Sequence, residues 1–182
     1  NILFDEEKYE EAIELYDKAI KANKNNATAY GNKGAALIAI DRCQEAIEPI
    51  EHALKLSPEV AEFHLNKGDA LSGVGKYQEA IESFDKAIEL DEELLDAYNS
   101  KGAAYYYMDK PEEAIIQFDR ILEKDTSYVN AYLWKAQIFM EQEKYQVALD
   151  ACERGISRSK KNPEGYSKKA QILSKMKKYD EA

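Results

Sequence analysis

Helix breakers and cross-links are scarce in this chain. Its 182 residues hold 8 glycines, 4 prolines and 2 cysteines. No segment gathers glycine, proline and serine as a flexible linker does, so composition marks no domain boundary. Cys43 and Cys152 lie 109 residues apart, which excludes a dense disulfide framework and fits a reducing compartment, the cytoplasm. Basic charge is short as well: 25 Lys and Arg stand against 35 Asp and Glu, a net charge of −10. That balance argues against nucleic acid and anionic membranes as partners, because both are held through clusters of Lys and Arg. No apolar run is long enough to span a bilayer, and none reads as a secretory leader. The sequon at Asn26 and Thr28 is accordingly expected to carry no glycan.

What the chain has in plenty is a period. The segment at 30–37, YGNKGAAL, returns every 34 residues as HLNKGDAL, YNSKGAAY, YLWKAQIF and YSKKAQIL, with no insertion or deletion. A fixed period of this size means stacked copies of one supersecondary unit, none of which can bury its apolar face alone. In such an array each unit touches only its neighbours, so Cys43 and Cys152 are expected to lie too far apart for a disulfide.

Within the repeat at 61–94, Phe63, His64, Lys67, Gly68, Leu71 and Val74 recur at spacings of three and four, the helical period. A break follows at Gly75-Lys76. Tyr77, Ala80, Ile81, Phe84, Ala87 and Ile88 then form a second stripe. Each unit is therefore a pair of helices of about four turns, joined tightly enough to be antiparallel. Alanines recur in the second helices at Ala12, Ala46, Ala80, Ala114, Ala148 and Ala182, and small residues in the first at Gly34, Gly68, Gly102, Ala136 and Ala170. These small residues are expected to face one another, with Tyr16, Ile50, Phe84, Phe118 and Cys152 filling the space beside them.

These columns resemble the tetratricopeptide repeat: an early aromatic (Tyr30, Tyr98, Tyr132, Tyr166), a Gly or Ala four residues on, then the alanine and aromatic of the second helix. The resemblance implies an all-α fold, a right-handed superhelical solenoid of antiparallel helix pairs. The repeat-end proline is matched only at Pro58, and the inter-helix glycine only at Gly75. Asp41 and Asp109 suit that turn, while Glu7, Glu143 and Lys177 suit it less well.

The frame divides the chain into a partial repeat at 1–26, four repeats at 27–60, 61–94, 95–128 and 129–162, and a partial repeat at 163–182, together one domain. The partial units suggest a fragment of a longer array, whose ends stack on another copy or fray. Pro111 and Pro163 fit the starts of helices, whereas Pro49 falls inside one, where a kink on an exposed face is expected.

No group of residues carries catalytic, metal or cofactor chemistry in this reading, so no enzyme is expected. His64 stands in the aromatic column and reads as a packed imidazole, and His52 as a solvated one. Gly73-Val74-Gly75 is a turn rather than a phosphate loop. The lysine column Lys33, Lys67, Lys101, Lys135 and Lys169 reads as alkyl stems laid over a neighbouring helix, with a basic binding stripe as the alternative.

The resemblance further implies that the first helices line a concave groove for a protein or peptide. The groove face carries Asn32, Leu65, Asn66, Asp69, Asn99, Tyr106, Tyr107, Leu133, Trp134, Gln137 and Met140. Trp134, the only tryptophan, stands with Tyr106 and Tyr107 in an aromatic concentration of the kind that anchors partners. Asn32 and Asn66 begin an asparagine ladder similar to that with which some members hold a peptide backbone; it stops at Ser100, Trp134 and Lys168. The carboxylate clamp of chaperone-binding members is absent from Gly31, Leu65, Asn99 and Leu133, and acidic Glu62, Asp69, Asp96 and Glu141 favour a basic or apolar segment, extended or helical. The expected function is a non-catalytic interaction scaffold. The alternatives are a recruiting portion of a larger enzyme and an array that self-associates end to end.

Overall fold

The computed structural model describes residues 2–180, with side chains from 8 to 177. Among the described residues the chain is all-α: α1 (Ile2–Ala22), α2 (Ala27–Ala39), α3 (Cys43–Leu56), α4 (Ala61–Gly73), α5 (Tyr77–Leu90), α6 (Leu95–Tyr107), α7 (Pro111–Lys124), α8 (Val129–Glu141), α9 (Tyr145–Arg158) and α10 (Pro163–Asp180). None of these helices is long and apolar enough to cross a membrane. They gather into two compact units that divide between Ser100 and Lys101, inside α6.

The turn inside each pair is one motif used four times. Asp41, Gly75, Asp109 and Glu143 adopt left-handed φ values of 60°, 80°, 57° and 59°. The next residue's amide then reaches back to close the helix: Arg42 to Leu37 at 2.9 Å, Lys76 to Leu71 at 2.9 Å, Lys110 to Tyr105 at 3.0 Å and Lys144 to Phe139 at 2.9 Å. This arrangement satisfies carbonyls that a helix end would otherwise orphan. Glu143 makes the turn despite its side chain. At Glu7 and Lys177 there is no turn: α1 and α10 run straight through both positions. Glu and Lys are helix formers, for which a continued helix avoids the cost of a left-handed residue.

Between pairs, short polar side chains organise the connectors. Asn23, Asp91 and Asp125 accept from the amide two residues on, at 3.0, 2.9 and 2.7 Å. Asn26 accepts from the Ala29 amide at 3.0 Å and so caps α2, which is the structural use of the sequon asparagine. Asn162 caps α10 in the same way, through the amides of Glu164 and Gly165.

In the first unit, α2 packs on α1 and α3, and α4 on α3 and α5. The alanine column is the contact: Ala46 and Ala80 have no exposure at all. Gly34 faces the alanine column, where a Cβ on it would stand 3.5 Å from the Ala46 carbonyl oxygen, and the small-residue column also makes room for large side chains. A Cβ on Gly34 would fall 2.3 Å from Ile50 Cγ1, and one on Gly68 2.3 Å from Phe84 Cε1. Each glycine is the recess for the large side chain sixteen residues on, and Ile50 and Phe84 are fully buried there. α3 runs unbroken through Pro49, which is half-buried.

In the second unit, α8 packs on α7 and α9, and α10 on α9. The same recess recurs, with Gly102 against Phe118 at 2.7 Å. Leu133, Ala136, Ala148, Cys152 and Ile172 form its core, with Met140 and Leu149 packed against them. Pro111 and Pro163 open α7 and α10. Ala182, the last member of the alanine column, lies outside the described residues.

Candidate functional site

The second unit carries a hollow of about 450 Å³ lined by Tyr106, Tyr107, Asn130, Leu133, Trp134, Gln137, Glu164 and Lys168. α6, α8 and α10 supply these residues from one side each. Trp134 is fixed from behind: its indole lies 4° from parallel with the fully buried Phe118 ring, centroids 5.9 Å apart. Its open side meets Tyr106 at 5.3 Å and, edge to face, Tyr107 at 6.3 Å. The two tyrosines meet at 5.4 Å, also nearly perpendicular. These are the offsets at which ring quadrupoles attract, so the cluster is ordered without a ligand. Tyr107 is 60% exposed and forms the outer lip.

A polar chain fixes the other wall. The Tyr106 hydroxyl donates to Glu141 Oε1 at 2.5 Å, Gln137 Nε2 donates to the same oxygen, and Lys168 Nζ donates to Gln137 Oε1 at 2.6 Å. Gln137 thus joins a cation and a carboxylate that do not touch. Burial, and then the bond to Glu141, push the Tyr106 hydroxyl up to about 12, so it stays protonated as donor.

Tyr106, Tyr107, Leu133, Trp134 and Gln137 of the expected groove face therefore meet at one site. Leu133 contributes differently from the others: it is 4% exposed, part of the core, and only floors the hollow. Met140 packs against the core cluster and does not line the hollow. Glu141, Glu164 and Lys168 complete the site. In sequence, Lys168 carries the signal, since it stands in the Asn32 column one period after Trp134.

In the first unit, Asn32 is exposed, while Leu65, Asn66, Asp69 and Asn99 are half-buried. Burial, with Ser100 donating to it and Asp96 nearby, leaves the Asp69 carboxyl raised to about 6. The Asn99 Oδ1 is buried without a partner. A larger hollow, about 710 Å³, lies among α1, α2 and α3, where the sequence suggested nothing. Its charges are largely satisfied internally: Lys33 pairs with Asp17 at 2.6 Å, and Arg42 with Glu10 at 2.8 Å and Glu45 at 2.6 Å.

The lysine column is neither a binding stripe nor merely a set of stems. Lys33, Lys67 and Lys169 pair with Asp17, Glu51 and Glu153 at 2.6, 3.2 and 2.7 Å, and Lys135 pairs with Asp119. Each acid lies sixteen residues before its lysine and repeats at the same period, a signal that sequence reading missed. His64 is half-buried rather than packed in the core. Its Nε2 meets the Pro58 carbonyl at 2.8 Å, as the Tyr132 and Tyr166 hydroxyls meet carbonyls six residues before them. His52, read as solvated, is exposed but stacks on Tyr30 at 4.2 Å. Both cysteines are free, and burial pushes both thiols up, away from the reactive thiolate.

Known proteins resemble the chain through this same architecture. A family model described as TPR repeat matches residues 1–41, and two described as tetratricopeptide repeat match 61–94 and 99–163. No curated protein sequence matches. Among solved structures, MamA is 24% identical over 84% of this chain and 90% of its own, with a TM-score of 0.74. YrrB, described as a TPR protein with an unusual peptide-binding site, is 23% identical over 90% and 84%, with a TM-score of 0.71. PilW, a type IV pilus biogenesis factor, is 20% identical over 93% and 79%, with a TM-score of 0.84. At these identities the likeness is one of fold.

Proposed function

The chain belongs to the tetratricopeptide repeat family, and on that premise we propose that it is a non-catalytic interaction module. It holds a peptide or a partner helix on the face of its first helices. The observation that carries this reading is the hollow around Trp134. Three aromatic rings stand partly open to solvent there, ordered by Phe118 behind and by Glu141 beside. An apolar surface already ordered costs a partner little to engage. YrrB, which shares the fold, is described as having an unusual peptide-binding site, and this supports a peptide-binding use of the fold here. The two free, buried thiols suit a cytoplasmic location.

The test is capture by the chain and by Tyr106→Ala/Trp134→Ala, read by quantitative mass spectrometry with helicity measured alongside. The partners retained by the parent should fall by about tenfold or more in the variant, as for other aromatic anchors. Equal retention by a well-folded variant overturns the assignment of the site.

A further inference from the structure

The hollow among α1, α2 and α3 has a counterpart in the second unit, of about 510 Å³, among α7, α8 and α9. Asp119, Tyr132 and Lys135 line the counterpart where Asp17, Tyr30 and Lys33 line the first, each three periods of 34 residues on. The shape therefore belongs to the repeat, and what differs between the two belongs to each site. The difference is charge. Three carboxylates stand against two cations in the second hollow, and five against two in the first. In the second, Lys135 pairs with Asp119 and Arg154 with Asp150. In the first, Lys33 is taken by Asp17, and Arg42 by Glu10 and Glu45. Glu14 and Glu48 then meet no hydrogen-bond or ion-pair partner among the described residues. Glu14 stands where the second unit has Ile116. Glu48 stands in the place of Asp150, but the residue four on is His52 instead of Arg154, and that imidazole stacks on Tyr30 at 4.2 Å. Pro49, also in the lining, has no N–H to give the Glu45 carbonyl one turn before it, so a backbone acceptor is left on the same wall.

We propose that the first unit's hollow is a second docking surface, for a basic segment of a partner protein whose lysine or arginine side chains enter between α1 and α3. Ile20 and Pro49, both half-buried, give the aliphatic stems apolar contact. Glu14, Glu48 and the Glu45 carbonyl offer acceptors only, which suits heads that can only donate. An acidic segment would meet like charge there. An uncharged one would cover Glu14 and Glu48 and leave them unpaired. This surface is separate from the hollow around Trp134, which lies in the other unit.

The probes are labelled, end-blocked peptides of lysine and leucine, of glutamine and leucine, and of glutamate and leucine. Each is titrated with the intact chain at physiological ionic strength, anisotropy reads binding, and the helicity of every variant is measured alongside. The lysine peptide should bind more tightly than the glutamine one, and the glutamate peptide should not bind. Glu14→Gln/Glu48→Gln should weaken the lysine peptide by at least about threefold, the combined effect of two exposed ion pairs. Glu123→Gln/Asp150→Asn removes as much charge from the second unit's hollow and should leave the lysine peptide bound as by the parent. Tyr106→Ala/Trp134→Ala should also bind it as the parent does. A lysine peptide that binds no tighter than the glutamine one overturns the proposal. Equal weakening by the two charge-removing variants means attraction to the chain's net charge of −10, and overturns it as well. Spermidine that displaces the peptide as readily as unlabelled peptide does makes this a site for free polyamines and overturns the assignment to a protein segment. Binding lost in Tyr106→Ala/Trp134→Ala but kept in Glu14→Gln/Glu48→Gln places the peptide at Trp134, which overturns this surface and leaves the other standing.

Discussion

Trp134 lies flat against Phe118, centroids 5.9 Å apart and planes 4° from parallel. One ring is core and the other is surface, so the buried aromatic of α7 sets the attitude of the exposed aromatic of α8. Phe118 in turn sits in the recess of Gly102. Phe118→Leu should therefore act in two ways. It should destabilise the chain by about 1–2 kcal/mol, because a large buried side chain shrinks. It should also free the indole, lowering Trp134 anisotropy and shifting its emission to the red while helicity is kept. An unchanged spectrum in a destabilised variant refutes the link between core and site.

Glycine is constrained here for two separate reasons, and alanine separates them. At Gly68 a Cβ would meet Phe84 Cε1 at 2.3 Å, with that ring fully buried. At Gly75 nothing lies within 4 Å, but φ is +80°. Gly68→Ala should cost about 2–3 kcal/mol by overpacking, net of alanine's better helix propensity. Gly75→Ala should cost about 1 kcal/mol through the left-handed backbone alone. Urea denaturation of both variants measures this, and equal costs would contradict the distinction.

The period made the fold legible, because a column repeated five times averages out local ambiguity. Helix pairs, their boundaries at Pro111 and Pro163, and the burial of Ala46, Ala80 and Ala114 all follow from it. What it hid were pairings across helices. The sixteen-residue link from Asp119 to Lys135 is invisible until the turn closes, whereas the neighbourhood of Gly68 and Phe84 was already expected from the columns. The site was legible where residues break the columns, at Tyr106, Tyr107 and Trp134. Leu133 shows the limit: side-chain spacing put it on the groove face, but it turns into the core beside Cys152 and Ile172. Its Cδ2 lies beside Gly155 of α9 and Gly165 of α10, neighbours that the spacing within α8 does not reveal.

The lysine–carboxylate pairs invite overvaluation, since they recur in both units. Lys135 is mostly covered at 19% side-chain exposure, but Asp119 is 48% exposed, so water screens the pair. A double-mutant cycle of Lys135→Met and Asp119→Asn should give a coupling of about 0.2–1 kcal/mol. The coupling should shrink further in 1 M salt. A coupling above about 2 kcal/mol would show the pair to be a buried one in energetic terms.

Glu143 stands at φ 59° where the equivalent residue of the first unit's second turn is Gly75. A side chain in that conformation costs about 1 kcal/mol that glycine avoids. Glu143 is exposed, so its side chain contributes little in return. Glu143→Gly should raise stability by about 0.5–1 kcal/mol, seen as a higher urea midpoint at unchanged slope. A lower midpoint would mean that the glycine's extra freedom in the unfolded chain outweighs the relief of strain.

Asp69 gives the fold a dependence on pH whose direction follows from its surroundings. Burial raises its carboxyl from an ordinary 3.8 to about 6, the charge of Asp96 adds to this, and the hydrogen bond from Ser100 only partly opposes it. A group with a raised folded pKa holds its proton more tightly in the folded state. Its contribution is full below the unfolded value and is lost as pH rises through the folded one. Asp69→Asn keeps an oxygen for Ser100 and removes the charge. The variant should therefore exceed the parent in stability at pH 7 by on the order of 2 kcal/mol, a figure lowered from the full shift because the side chain is only partly buried. The gap should close between about pH 6 and pH 4, where the parent's own carboxyl becomes neutral. Denaturation of both proteins across that range reads the gap directly. A difference that is the same at pH 4 and pH 7 would mean the substitution acts through packing and not through the charge.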